Sequence, residues 1–187
     1  RDGQQILEEA RFTRQIKATC TFVMLTGENA MDMVMGAIEY EPDDYITKPF
    51  TIDVMRQRLT RILNVKEQLR PINESIDRQE RRKVLPLCDA LIEKQPRLKI
   101  RVERIKGRML MALKEYGKAL VLYESILKER EINWALLGKA TCLFNLEKLD
   151  EAEKVLNHTI HEHPKYVQCY DLLCKIHLKK KNLKSAQ

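Results

Sequence analysis

From about residue 78 onward the sequence repeats itself at a nearly fixed interval, and that interval restricts the fold more than any other feature. Tyr116, Leu149 and Leu183 are each followed three residues later by Ala119, Ala152 and Ala186, so the alanines recur at nearly equal steps. Pro96 and Pro164 are separated by twice that step. Between these markers glycine and proline nearly vanish, strand signals stop, and apolar residues recur with helical spacing. A unit of this length holds two antiparallel helices. Neither buries its apolar face alone, so successive units must stack.

Within the units Gly107 precedes Ala119 by twelve residues and Cys174 precedes Ala186 by twelve. A small side chain at that place lets the two helices of a unit cross closely. Tyr123 and Leu156, four residues after their alanines, would fill the groove of the other helix. In the middle unit Trp134, Leu137 and Gly138 stand two residues early relative to Ala152, which suggests a longer first helix. Val84–Pro96 reads as a lone second helix, and the last repeat is incomplete, breaking off as another second helix begins. This pattern over residues 78–187 resembles the tetratricopeptide repeat. The resemblance implies an all-α superhelix whose concave groove binds a protein partner. By periodicity of the first helices, Arg101, Arg104, Arg108, Asn133 and Lys175 are candidates to face that groove, although a solvated polar face predicts the same residues.

The first seventy residues follow a different grammar. Gln4–Ile16 has helical apolar spacing behind the capping pair Asp2-Gly3. Thr21–Leu25 is a short β-branched and aromatic run that ends in the turn-like Thr26-Gly27-Glu28-Asn29, so it reads as a buried strand. Met31–Glu39 is helical again, Tyr45–Thr47 is a second short strand stopped by Lys48-Pro49, and Asp53–Leu63 is an amphipathic helix. This alternation builds a parallel sheet covered by helices, with ligands at the carboxyl ends of the strands. Thr26 and Lys48 occupy such ends. A hydroxyl and an ammonium there suit the oxygens of an anion.

TFVMLTGEN followed by DDYITKPF, with Thr26 in the first run and Lys48 in the second, resembles in sequence and spacing the C-terminal part of a bacterial response-regulator receiver domain. That resemblance implies an α/β, flavodoxin-like partial receiver over residues 1–64, with strands four and five only. A helical linker over 65–77 joins it to the repeats. It also implies that Thr26 hydrogen-bonds a phosphoryl oxygen, that Lys48 pairs with the phosphoryl group beside a cis bond to Pro49, and that Tyr45 is the aromatic that moves in response. The phosphoacceptor aspartate would precede Arg1 and is not in this chain. Mg²⁺ is expected only for a complete receiver, so no metal ligand is assigned here. The implied partners are a cognate histidine kinase for the full-length protein and a possible second copy. The second copy would dock through the receiver's helix four, strand five and helix five, or through the exposed strand-four edge.

Charge and composition narrow the remaining classes. Residues 1–64 carry eight Lys/Arg against ten Asp/Glu, and residues 65–187 carry 26 against 17. Such a basic C-terminal part suits acidic partners or nucleic acid, but solvated lysines on amphipathic helices give the same sum. Lys179, Lys180 and Lys181 read as a turn between repeat helices, and no stacking aromatics interleave them, so nucleic acid is not the expected partner. Cys20, Cys88, Cys142, Cys169 and Cys174 are odd in number and show no CxxC pair, which suits free thiols in a reducing cytoplasm. No apolar run reaches membrane-spanning length. His158, His161 and His163, with Cys174 near His177, are ligand types at uneven spacing and are better explained by a helix end than by zinc. No nucleophile and base stand in a plausible catalytic context, so the chain is not expected to be an enzyme. The reading reached is a two-component response regulator whose receiver controls protein binding by the repeats. The alternatives are a constitutive scaffold whose receiver serves dimerisation or docking, and a nucleic-acid-binding regulator.

Overall fold

A computed structural model describes residues 3–13, 15–27 and 42–185. The chain divides into two compact units, residues 1–83 and 84–187. The helix expected over Met31–Glu39, the cap at Asp2 and the alanine at 186 lie outside the described residues.

In the first unit, helix α1 (Gly3–Phe12) precedes strand β1 (Val23–Gly27), strand β2 (Asp44–Lys48) and the long helix α2 (Ile52–Asp77). Helix α1 stops four residues before the expected Ile16, and β1 begins two residues later than expected. The strands pair in parallel, with Thr26 opposite Thr47 and Gly27 opposite Lys48. Leu7, Ile46, Ile62, Leu69 and Ile72 are buried in this unit. The Thr51 hydroxyl accepts from the Val54 N–H at 3.3 Å, starting α2 where Pro49 has just ended β2. The helical linker expected over 65–77 is the second half of α2, which runs through Pro71 without ending.

Long-range polar contacts help to hold that second half in place. Asp77 accepts from the backbone N–H groups of Ala18 at 2.6 Å and Thr19 at 3.2 Å, and from the Thr19 hydroxyl at 2.8 Å. Lys66 pairs with Asp43 at 3.1 Å and donates to the Ala18 carbonyl at 2.8 Å. Both charged side chains of that pair are largely buried, so each depends on the other.

The second unit consists, among the described residues, of α3 (Arg81–Lys94, whose first three residues fall in the first unit), a single turn at Pro96–Leu98, α4 (Lys99–Ala112), α5 (Tyr116–Glu129), α6 (Asn133–Asn145), α7 (Leu149–Glu162) and α8 (Val167–Ser185). Helices α4, α6 and α8 open at Lys99, Asn133 and Val167, and α5 and α7 at Tyr116 and Leu149, so the helix starts keep the step of the sequence repeat. The turns repeat as well. After α4, the N–H groups of Leu113, Lys114 and Glu115 donate to Met109, Met111 and Leu110, and after α6 those of Leu146, Glu147 and Lys148 donate to Cys142, Phe144 and Leu143. Arg78, Gln79 and Glu80 make the same three bonds, to Glu74, Ile76 and Ser75. The central residue is left-handed each time, at φ 61 for Gln79, 59 for Lys114 and 63 for Glu147. This closure satisfies carbonyls that the helix end would otherwise leave open.

Two expectations are corrected here. Helix α6 has 13 residues against 14 in α4, so the middle unit has no longer first helix. Its crossing position is Ala140, fully buried and twelve residues before Ala152, and Gly138 faces something else. The lysines at 179–181 do not form a turn. They belong to α8, whose backbone stays helical to Ser185. Lys179 binds Glu147 at 2.5 Å, and Lys180 binds Asp150 at 2.6 Å and also Glu153, all within the preceding turn and α7.

Candidate functional site

Two places hold the residues singled out in the sequence. The first is the carboxyl end of the two-stranded sheet. Thr26 is buried at the end of β1, and its Oγ1 has no hydrogen-bond partner among the described residues. Lys48 ends β2 on the neighbouring strand and is exposed, and its peptide bond to Pro49 is cis. Tyr45, three residues earlier, is half-buried beside Met24 of β1. Arg58 of α2 donates to the Tyr45 carbonyl at 2.5 Å and to Asp44 at 3.2 Å, while Arg61 reaches Asp44 at 3.5 Å. The sheet therefore brings Thr26, Tyr45 and Lys48 onto two adjacent strands, as their spacing implied. The contacts of Arg58 and Arg61 are missing from that reading, because side chains on a later helix give no local signal.

An open cleft elsewhere in this unit is lined by Lys17, Thr19, Lys66, Arg70, Asn73 and Asp77, among others. Two of its cations are already matched: Arg70 pairs with Glu67 at 3.3 Å and Glu74 at 3.0 Å, and Lys66 with Asp43 at 3.1 Å.

The second place is the first-helix surface of the repeats. Arg101, Arg104 and Arg108 lie on one side of α4, Asn133 opens α6, and Lys175 lies exposed on α8. The Arg104 guanidinium sits 5.4 Å from the centre of the Trp134 ring, so it stacks on an aromatic face, a contact that ties the first helix of one repeat, α4, to the first helix of the next, α6. Trp134 in turn meets Tyr123 edge to face, with ring centres 6.3 Å apart.

Tyr123 is the centre of this packing. It is 4% exposed. A methyl group placed on Gly107 would come within 2.7 Å of its hydroxyl, and one placed on Gly138 within 2.5 Å of its ring. The ring of α5 is thus held between glycines on α4 and α6, one from its own repeat and one from the next. Burial pushes its hydroxyl up to about 12, so the phenol stays neutral.

Burial also pushes the thiols of Cys88 and Cys142 up to about 12 and that of Cys169 to about 11. These are packing thiols, and Cys142 lies 3.2 Å from the Met111 sulfur. The histidines do not converge: His158 reaches Glu131, His161 its neighbour Glu162, and His177 Glu153. No group of three or more metal-ligand types occurs among the described residues. No described helix is long and apolar enough to cross a membrane.

Stacked helical hairpins with small residues at their crossings define a repeat scaffold of the class that binds other proteins. The tetratricopeptide repeat family model matches residues 110–176, from the end of α4 into α8. Repeats of this kind serve protein–protein interaction and are typically non-enzymatic. A search of curated proteins gave no match.

Proposed function

We propose that this chain is part of a response regulator in which a receiver-type unit controls how the helical repeats hold a protein partner. The observation that carries the reading is the buried Thr26 hydroxyl without a partner among the described residues, next to the strand that ends in Lys48. A buried hydroxyl left unpaired costs about 1–3 kcal/mol. A phosphoryl oxygen within reach would take its hydrogen bond, and Lys48 would supply the opposite charge. The resemblance makes a histidine kinase the phosphoryl source and Mg²⁺ the metal of the complete receiver. Tyr45 then responds to the position of Thr26, and the two arrangements of this face differ in population according to phosphorylation.

A constitutive scaffold is the second reading, favoured by the family match being confined to the repeats. One comparison separates the two. The natural-length protein is titrated with a partner, with and without beryllofluoride as a phosphoryl mimic. The regulated reading expects an affinity change of at least about fivefold, a modest allosteric coupling. It also expects Thr26→Ala to abolish the change without altering the basal affinity. Equal affinities with and without the mimic would leave the scaffold. The nucleic-acid alternative rests on the net positive charge of residues 65–187, of which Lys179 and Lys180 are matched within the fold by Glu147, Asp150 and Glu153.

A further inference from the structure

The first helices of successive repeats approach one another directly, α4 with α6 and α6 with α8, so they share one surface inside the array. On the side turned to the second helices they are closed: Val102, Gly107 and Leu110 of α4 are buried, as are Leu136, Ala140 and Leu143 of α6. The opposite side carries a different pattern. On α4 it holds Arg101, Arg104 and Arg108, at i, i+3 and i+7, with Arg101 and Arg108 exposed. One repeat step later the same positions of α6 are Trp134, Leu137 and Thr141, uncharged and half-buried. A cationic row therefore runs beside an apolar one. Both helices have repeat helices before and after them in the chain, so this face belongs to the interior of the array.

We propose that the two rows bind an extended segment of a partner protein in which acidic and apolar side chains alternate. This rests on the reading that the repeats hold a protein partner, and it names that partner's chemistry. Successive side chains of an extended chain point to opposite sides. A segment laid along the boundary between the helices thus turns its carboxylates to α4 and its apolar residues to α6. Charge selects the acidic partner: the surface carries Arg101, Arg104 and Arg108 on α4 and Lys175 on α8 against Asp171, while Lys179 is bound to Glu147. Arg104 is held in place by its stack on Trp134, 5.4 Å from the ring centre. Stacking occupies the flat face of a guanidinium and leaves the N–H groups around its edge, which suit the two oxygens of a carboxylate. The aromatic rings favour protein over nucleic acid. Trp134 carries Arg104 and meets Tyr123 edge to face, and Lys179 lies 5.0 Å from the centre of the Phe144 ring, so these rings are already engaged where a base would stack.

Fluorescence anisotropy of the whole chain with a short labelled peptide of alternating glutamate and leucine tests this. Binding is expected, lost when lysine replaces the glutamates and weakened at least about tenfold when serine replaces the leucines. Arg101→Glu with Arg108→Glu is expected to raise the dissociation constant at least about tenfold, by setting like charges against the peptide. Both arginines are exposed, so the exchange leaves the fold alone, and an unchanged circular dichroism spectrum checks that. Binding indifferent to this exchange, equal affinity for the lysine–leucine peptide, or tighter binding of labelled oligo-thymidine would overturn the assignment. The peptide measurement needs no phosphoryl mimic, so the two readings fail separately. Peptide binding that beryllofluoride leaves unchanged removes the switch and supports this surface, whereas no peptide binding beside a mimic-dependent affinity for another partner removes this surface alone.

Discussion

Tyr123 meets a glycine on each side, and the sequence announces only one of them. Gly107 lies twelve residues before Ala119, the crossing interval, so its place was legible from spacing. Gly138 follows Trp134 and Leu137 two residues early relative to Ala152, and that offset suggested a longer first helix instead of a contact with Tyr123. The ring that fills the space beside it comes from the previous repeat, which no local pattern displays. Replacing Gly138 by Ala would put a methyl 2.5 Å from that ring, so either the ring or the helix must shift. Chemical denaturation is expected to show a loss of about 1–3 kcal/mol, the usual cost of overpacking.

Glu103 makes a second residue-scale case. It is 7% exposed, and burial, opposed by Lys99 and Lys106, raises its carboxyl above the usual range. A raised folded value means that the folded state holds the proton more tightly than the unfolded chain. The ionised carboxylate therefore destabilises the fold at neutral pH, and that penalty is relieved as pH falls through the raised value toward the free glutamate value near about 4.3. Glu103→Gln is expected to raise the melting temperature at neutral pH, with the gain closing at acid pH.

At the scale of elements, helix identity was readable from periodicity and helix ends were not. The extent of α2 escaped because its second half is held by Asp77 on the backbone of Ala18 and Thr19 and by Lys66 on Asp43, partners that come from much earlier in the chain. Asp77→Ala would remove an acceptor from three donors at once, and a loss of about 1–3 kcal/mol is expected from denaturation of the whole chain. The three left-handed turns were equally hidden, because Gln79, Lys114 and Glu147 are not the glycines that usually mark such closures. Lys114→Gly is expected to stabilise by about 0.5–1 kcal/mol, since glycine adopts positive φ without steric cost. Glu147 is a poorer test, because its carboxylate also binds Lys179.

For the whole molecule, the change of grammar near residue 78 was visible in the loss of strand signals, and the compact units part at 83/84. The second unit has its own buried cluster around Leu110, Ala119, Tyr123, Ile126, Ala135 and Cys142. Residues 84–187 produced alone are therefore expected to retain a helical circular dichroism spectrum and to unfold in one cooperative transition. Net charge was the least informative global number. The excess of lysine and arginine over residues 65–187 includes Lys99, Lys106, Lys139, Lys179 and Lys180, each bound to a carboxylate on another helix or turn.

The position of Tyr123 also bears on how such an array can be cut and rejoined. Its ring is shared across a repeat boundary, fitted to Gly107 behind it and Gly138 ahead of it. A cassette one repeat long, lifted from this chain, would carry a bulky ring to a neighbour with no vacancy for it, or leave a vacancy facing a smaller side chain. Modules here are interchangeable in length but not in shape, so any shuffling of this array must move Tyr123 and Gly138 together.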